Sequence, residues 1–148
     1  MDRRSILASV FAATGAVFAS TAGARANPIT PDKAKVVYHL TDLDKVSFVL
    51  RNIRNHFEGM GGPDKVTVSL VVHGPALKAF HAKSAKPEHV RHMRELAQAG
   101  VAFAACGKMM AVQNVALKDL VPGFIELEQG GVVRLAELQS QGYVYLRL

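Results

Sequence analysis

Two short runs of almost uninterrupted apolar residues constrain the fold of this chain more than any other feature. One run covers residues 65–72 and ends at His73, and the other covers residues 101–105 and ends at Cys106. Strands of a parallel sheet that are buried on both faces have this pattern, whereas half-buried strands alternate between apolar and polar residues. The two runs therefore predict central strands of a parallel sheet.

Amphipathic helices are expected between the strands. Four apolar residues recur at spacings of four, three and four, which predicts a helical face that ends near Glu58. These residues are Val46, Leu50, Ile53 and Phe57. Further strands are predicted at 35–40, 124–127 and 143–146, and further helices at 76–82, 87–98, 109–120 and 131–141. Because strands alternate with helices, the chain is expected to form an α/β fold, a doubly wound and mostly parallel five-stranded sheet with helices on both faces in a single domain.

Three local features of these helices follow from the residue types. Thr41 or Asp42 is expected to cap the first helix, since both side chains can accept a hydrogen bond from a free amide. A later helix is expected to break near Asn114. Val132 is expected to share the buried side of the last helix with Leu135.

The first residues of the chain have the composition of an export signal. Arg3 and Arg4 give a charged start, and an uncharged, largely apolar stretch follows to Ala22. Ala24 and Ala26 are the small residues that signal peptidase requires before its cleavage site. The paired arginines resemble the twin-arginine export motif, so the route of export is expected to be of that type.

Cleavage after Ala26 is expected to divide the chain into a signal peptide (1–26), an N-terminal tether (27–34) and a folded domain (35–148). Removal of 26 of the 148 residues leaves 122, the size of one domain. An uncleaved membrane anchor is the alternative, but the apolar stretch is of marginal length for a bilayer and no later run is long enough. The mature protein is therefore expected to be periplasmic and free of the membrane.

The charge of the chain argues against nucleic-acid binding. The formal net charge is +6, and 15 basic and 11 acidic residues remain after cleavage. The basic residues are scattered without a cluster, whereas nucleic-acid binding requires a basic face. No GxGxxG motif follows a predicted strand. The sequence also has no CxxC or CxxCH motif, no Walker phosphate loop and no serine elbow, so no cofactor is expected.

Residues capable of chemistry follow three of the predicted strands. His39 lies at the end of the first strand, His73 and Gly74 follow the second, and Cys106 and Gly107 follow the third. Ligands bind open parallel sheets outside the carboxyl ends of the strands. These residues are therefore expected to converge on one edge of the sheet.

Cys106 is the first candidate for chemistry. At the junction of a strand and a helix, free amides and the helix dipole favour an ionised thiol, and Lys108 adds positive charge. Gly107 would let backbone or ligand approach the sulfur. Gly74, Gly107 and Lys108 are accordingly the candidate ligand-binding positions. The alternative is that a lone cysteine after four apolar residues packs as a small buried hydrophobe.

The histidines are the next candidates. His73 and His39 could act as proton shuttles or orienting donors at Cys106, although a histidine in a strand is more often simply packed. His81, His89 and His92 are the candidates for a surface metal site. Zinc sites use three or four fixed ligands, and no cysteine or carboxylate partner is evident, so no metal is expected.

Taken together, the order of the strands and the position of the cysteine resemble the DsrE/DsrF-like family of small sulfur-handling proteins, to which YchN-like proteins belong. The similarity covers nearly all of residues 35–148. It is carried by Val-Val-Tyr-His-Leu (36–40), Leu-Val-Val-His-Gly-Pro (70–75), Leu-Ala-Gln-Ala-Gly-Val (96–101) before Cys106-Gly107, and the tail 135–146.

The resemblance implies a doubly wound parallel sheet and a homo-oligomer, often a trimer or hexamer. It also implies that Cys106 takes the position of the cysteine that accepts a persulfide in members that act in sulfur relay. We therefore predict a periplasmic sulfur carrier or sulfurtransferase-like protein that exchanges sulfane sulfur with a donor or acceptor protein. The relay members work in the cytoplasm, whereas this chain is expected to be exported, so its substrate and partner are not inherited from them.

Two other functions are compatible with the same residues. One is a non-enzymatic oligomeric module that binds a small ligand, in which Cys106 only packs. The other is a redox sensor that forms an intermolecular disulfide, because an odd cysteine in an oxidising compartment has no partner in its own chain.

Overall fold

Strands and α-helices alternate along residues 33–148, the part of the chain that the computed structural model describes. The strands are β1 (Ala34–Leu40), β2 (Val66–Val72), β3 (Ala102–Cys106), β4 (Phe124–Leu127) and β5 (Val144–Leu146). The α-helices are α1 (Val46–Met60), α2 (Pro87–Gln98), α3 (Gly107–Val112) and α4 (Gly131–Ser140). The predicted signal peptide and most of the predicted tether lie outside the described residues.

The strands form one parallel sheet in the order β4-β3-β2-β1-β5. Strands β1 and β2 pair over their full length, from Ala34 opposite Val66 to Leu40 opposite Val72. The first four strands are added side by side in one direction, and the chain then crosses back through α4 to place β5 on the free side of β1. The predicted fold class, a doubly wound parallel sheet of five strands, is confirmed.

Helices cover both faces of the sheet. Alternate side chains of a strand point to opposite faces, so a strand that is covered on both faces contributes to two cores. The larger core includes residues of α1, α2 and α3. The smaller core joins one residue from each of three strands to α4; its members are Val37, Val71, Ala104, Leu135 and Leu138. No helix within residues 33–148 has both the length and the hydropathy to span a bilayer.

Several element boundaries agree with the expectations. Helix α2 and strand β4 have the predicted bounds, and Pro87 occupies the first turn of its helix, where its missing amide hydrogen costs nothing. The chain breaks after α3 at Asn114, whose φ of 54° is left-handed. A 3₁₀ helix at Gly74–Phe80 replaces the predicted helix at 76–82.

Two local predictions were wrong. Asp42 makes no side-chain capping hydrogen bond, because its carboxylate and the hydroxyl of Thr41 instead lie 3.5 and 3.1 Å from the guanidinium of Arg147. Val132 is 65% exposed. In that first turn of α4 the neighbouring Gly131 makes the contact with the sheet, so the side chain of Val132 is left on the outside.

A buried histidine joins the first two helices. His89 on α2 is 5% exposed, and its Nε2 lies 2.8 Å from Oγ of Ser47 on α1. Its Nδ1 is buried and has no hydrogen-bond partner within the described part of the chain. Burial lowers the pKa of His89, and the nearby Glu88 only partly opposes that effect. The folded protein therefore binds this proton less readily than the unfolded chain does.

The free energy of unfolding is consequently expected to fall as the pH drops below about 6.5, the ordinary pKa of histidine. Below that pH the unfolded chain takes up a proton that folded His89 resists, so the unfolded state gains stability. Urea unfolding measured between about pH 5 and pH 8 tests this expectation. His89→Gln should flatten the pH dependence, with His92→Gln on the same helix as the matched control; equal slopes in the two variants would contradict the assignment.

Candidate functional site

The three predicted site residues lie on one face of the sheet. Val37, Val71 and Ala104 face α4, and His39, His73 and Cys106 each follow one of these residues by two positions, which returns their side chains to the same face. Their strands β1, β2 and β3 are neighbours, and all three residues lie at the carboxyl ends. The predicted convergence on one edge is therefore found on the side covered by α4.

The N-terminus of α4 closes over this edge. A Cβ atom placed on Gly131 would lie 3.5 Å from Cβ of Cys106 and 3.7 Å from Cβ of His73. A Cβ atom on Gly130 would lie 4.0 Å from Sγ of Cys106 and 3.5 Å from Cγ of Lys108. Two glycines thus let the helix approach the thiol and the imidazole closely, and a larger residue would fill that space.

The thiol of Cys106 is buried under this turn. Cys106 is 1% exposed and forms no disulfide. α4 has no side-chain cap, so the amides of its first turn carry partial positive charge beside the sulfur. The sequence predicted one helix N-terminus next to the thiol, that of α3. The structure adds a second, that of the longer helix α4.

His39 is held by Tyr145 of the edge strand β5. Nδ1 of His39 lies 2.9 Å from the Tyr145 hydroxyl, and its Nε2 is buried without a hydrogen-bond partner in residues 33–148. The ring centroid of His39 lies 5.9 Å from that of His73. Burial lowers the pKa of His39, as do His73 and Arg147, while Asp42 acts in the opposite direction. His39 is thus an imidazole that is difficult to protonate.

The predicted ligand-binding glycines are already in contact with the chain itself. A Cβ atom on Gly107 would lie 2.9 Å from the carbonyl oxygen of Leu127, and one on Gly74, whose φ is +59°, would lie 3.3 Å from that of Thr41. These approaches account for both glycines without a ligand. Lys108 is exposed at the outer side of the site. A ligand-binding role for Gly74, Gly107 and Lys108 stays a prediction.

Two of the histidines considered for a metal site, His81 and His89, each make a hydrogen bond to a different residue. Nε2 of His81 lies 2.8 Å from Oε1 of Gln113, and His89 is buried against Ser47. Residues 33–148 contain no group of three or more histidine, cysteine, aspartate or glutamate side chains arranged to hold a metal ion.

Surface grooves lie on both sides of the sheet. The two largest, about 610 and 590 Å³, share Lys78 and Ser84 and include none of the three site residues. A smaller groove of about 360 Å³ is lined by residues 125–130, Val133, Arg134 and Glu137. It reaches Gly130, where a Cβ atom would lie 4.0 Å from Sγ of Cys106, which makes it more relevant to the site than the larger grooves.

Three residues of the site were missed by the sequence analysis. Gly130 and Gly131 form a Gly-Gly pair that begins three residues after the end of the fourth predicted strand, and such a pair before a helix is a signal of close approach. Tyr145 lay in the last predicted strand, but nothing in the sequence indicated that this strand pairs with β1. Its contact with His39 depends on that pairing.

The model of the DsrE/DsrF-like family matches residues 34–148. The chain belongs to the DsrE/DsrF-like family. The match includes every strand and helix described above. A search of curated protein sequences finds no relative of this chain.

Solved structures share the fold of this DsrE/DsrF-like protein. The protein of unknown function MTH1491 from Methanobacterium thermoautotrophicum is 24% identical with a TM-score of 0.68. The match covers 78% of this chain and 99% of that one. The ychN protein from E. coli is 17% identical with a TM-score of 0.64 at the same coverages. BT1422 from Bacteroides thetaiotaomicron, also of unknown function, is 15% identical with a TM-score of 0.58, over 82% of this chain and 100% of that one. At these identities the likeness shows the fold.

Proposed function

We propose that this protein is a periplasmic sulfur carrier that holds sulfane sulfur as a persulfide on Cys106. The observation that carries the proposal is the position of the thiol, at the carboxyl end of β3 beside His73 and the first turn of α4. The family is generally related to sulfur relay, which agrees with this chemistry. Cys106 is also the single cysteine of the chain, so no intramolecular disulfide competes with it.

The loading step needs no external oxidant or reductant. The Cys106 thiolate attacks the outer sulfur of a donor such as thiosulfate, a new S–S bond forms, and the sulfur–sulfur bond of thiosulfate breaks. Sulfite leaves with the electron pair of that bond. In the delivery step an acceptor thiolate attacks the terminal persulfide sulfur, and the Cys106 thiolate is released.

The surrounding residues favour the anionic sulfur species. In this proposal His73 is the group that takes the thiol proton, because Cβ of His73 and Cβ of Cys106 lie 3.7 and 3.5 Å from the same point, a Cβ atom placed on Gly131. The first-turn amides of α4 carry partial positive charge near the sulfur, and Cγ of Lys108 lies beside Gly130 in the same turn. The ring of His39 lies next to that of His73, with the two centroids 5.9 Å apart.

Burial of Cys106 sets a condition on this function. Because the thiol is 1% exposed, a donor reaches Sγ only when the turn at Gly130 moves aside. The groove along residues 125–130 provides the approach to that turn. A covered persulfide would in turn be protected from water and stray thiols between loading and delivery.

The cellular context of the proposal comes from the sequence. The signal peptide at 1–26 would direct the domain to the periplasm, where a donor or acceptor protein with its own thiol would exchange sulfur with Cys106. We propose that the protein works as a homo-oligomer, a trimer or hexamer.

Intact-mass measurement tests the proposal. The mature chain is incubated with thiosulfate or polysulfide, and a gain of one sulfur atom is expected. Cys106→Ser, which removes the thiol and keeps its size, should show no gain, and a reductant should remove the added mass from the wild type. Absence of a gain with every donor tested would exclude the carrier function.

A binding module with a structural cysteine is the second candidate, and the burial of Cys106 favours it. In that case the native protein should react with a thiol reagent only at the rate at which it unfolds, and Cys106→Ser should keep its fold and its ligand. Reaction much faster than unfolding would favour the carrier. A redox sensor would likewise need the turn at Gly130 to move aside, because an intermolecular disulfide requires Sγ at the surface and Cys106 is 1% exposed.

A further inference from the structure

A groove of about 590 Å³ lies between the start of α2, the 3₁₀ turn at Leu43–Lys45 and the 3₁₀ helix at Gly74–Phe80. It is lined by residues 43–44, 78–79, 84, 86 and 89, none of which belongs to the site at Cys106. Clefts that bind small molecules have volumes of about 300–1,000 Å³. The groove is therefore large enough for a small organic molecule, and its use is independent of the proposed function.

Part of the lining of this groove is apolar. Leu43 is 47% exposed although its side chain is large and aliphatic, and Ala79 lines the groove as well. Lys78 and Lys86 add the methylene parts of their side chains, which can lie along apolar surface while the ammonium groups stay in water. An apolar part of a ligand would remove Leu43 from water and gain hydrophobic free energy.

The charged groups of the groove favour an anion. Lys78 and Lys86 contribute two ammonium groups, and Asp44 contributes one carboxylate. No side chain caps the N-terminus of α2, so the first turn of this 12-residue helix adds partial positive charge. The hydroxyl of Ser84 can donate a hydrogen bond. Two cations and a helix N-terminus thus outweigh the one carboxylate.

His89 is the buried polar side chain among the lining residues. It is 5% exposed, and its Nε2 contacts Oγ of Ser47, whereas Nδ1 has no hydrogen-bond partner in the described part of the chain. Burial lowers the pKa of His89, and Lys86 and His92 lower it further. The carboxylate of Glu88, 3.7 Å from Nε2, acts in the opposite direction. A positive charge on this ring therefore has little compensation, and an anion in the groove would supply it whichever nitrogen of the neutral ring carries the hydrogen.

We propose that this groove binds a small amphipathic anion, with its apolar part against Leu43 and its acidic group at Lys86 and the first turn of α2, beside His89. A sulfonate, a carboxylate and a phosphate monoester share the required chemistry, a compact negative charge on an apolar body. Because binding and protonation are linked, an anion that favours protonated His89 must itself bind more tightly when His89 is protonated.

Fluorescence titration of the mature chain with anilinonaphthalene sulfonate tests the proposal. Phenylnaphthylamine, which has the same rings without the sulfonate, is the matched uncharged probe. Lys86→Gln is expected to weaken binding of the sulfonate about 2–5-fold, and Asp44→Asn to strengthen it by a similar factor, the range for exposed ion pairs. Lys65→Gln, which removes a lysine paired with Asp64 outside the groove, should leave the affinity unchanged. Binding of the uncharged probe should be the same in all three variants.

The ring of His89, followed by NMR, reports where the sulfonate lies. Saturating sulfonate should raise the titration midpoint of His89 by about 0.5–1 pH unit, the effect of an opposite charge within about 6 Å. The midpoint of His56, which contacts Tyr38 on α1's side of the sheet, should not move. By linkage the sulfonate should bind about 3–10-fold more tightly to the protonated than to the neutral form of His89, so its affinity rises as the pH falls. His89→Gln should remove this pH dependence, and His92→Gln should keep it.

The outcomes decide the proposal in either direction. Weaker binding in Lys86→Gln, tighter binding in Asp44→Asn and a raised His89 midpoint together support it. Absence of saturable binding, equal affinity in Lys86→Gln and the wild type, or an unmoved His89 midpoint would exclude this groove as an anion site. Equal strengthening of both probes at low pH would show exposed apolar surface in a loosened state and would also overturn it. Cys106→Ser should bind the sulfonate like the wild type, so failure of the sulfur-carrier function leaves this result unchanged.

Discussion

Phe103→Ala is expected to lower the free energy of unfolding by about 3–5 kcal/mol. Phe103 lies on β3, three residues before Cys106, and is 2% exposed. Its ring packs edge-on against Phe124 with the centroids 5.8 Å apart, and Phe124 packs in the same way against Phe80 at 5.1 Å. Phe103 is one end of this stack, and removing its ring leaves a buried cavity beside Phe124 that the rigid sheet cannot close.

Urea unfolding measures the loss, and Phe48→Ala provides the matched control. Phe48 lies on α1 and is 41% exposed, so the same substitution there should cost less than about 1 kcal/mol. If Phe103→Ala proves too unstable to purify, Phe103→Leu should still cost about 1–2 kcal/mol. Equal costs at the two phenylalanines would show that this stack does not stabilise the strand that presents the thiol.

Gly107→Ala is expected to lower the free energy of unfolding by about 1–3 kcal/mol, although alanine is the better helix former. The new Cβ atom would lie 2.9 Å from the carbonyl oxygen of Leu127 and 3.3 Å from Cα of Glu128. Both atoms belong to the backbone at the end of β4, so the strand or the helix must shift. The shift would occur one residue after Cys106.

Gly59→Ala is the matched control for this substitution. Gly59 lies in α1, and a Cβ atom there would meet nothing within 4 Å. The same change should therefore stabilise the protein by up to about 1 kcal/mol, because alanine loses less conformational entropy in a helix. Opposite signs at the two glycines are expected in thermal or urea unfolding, and a stabilising Gly107→Ala would show that β4 and α3 are not in rigid contact.

The fold could be predicted largely from local patterns. Residues 65–72 and 101–105 have the short, largely apolar pattern of strands buried on both faces, and the structure has β2 and β3 there. Pro87 and Gly100 marked the ends of α2, because one lacks an amide hydrogen and the other adopts a positive φ of 95°. These signals depend on backbone chemistry that is the same in any fold.

Predictions that depended on a neighbour in space were less successful. Asp42 was expected to cap a helix but lies beside Arg147, which is more than 100 residues later. Val132 has the spacing of a buried residue, yet Gly131 takes the contact with the sheet and leaves Val132 exposed. In each case a tertiary contact outweighed the local preference.

The sequence by itself determined that His39, His73 and Cys106 would meet at one edge, because the carboxyl ends of parallel strands always share an edge. It did not determine which element covers them or which strand adjoins β1. Those choices follow from the return of the chain through α4, which brings Gly131 over the thiol and places Tyr145 beside His39. Pairing across such distances along the chain is decided by the packing of the whole sheet, and no local pattern of residues records it.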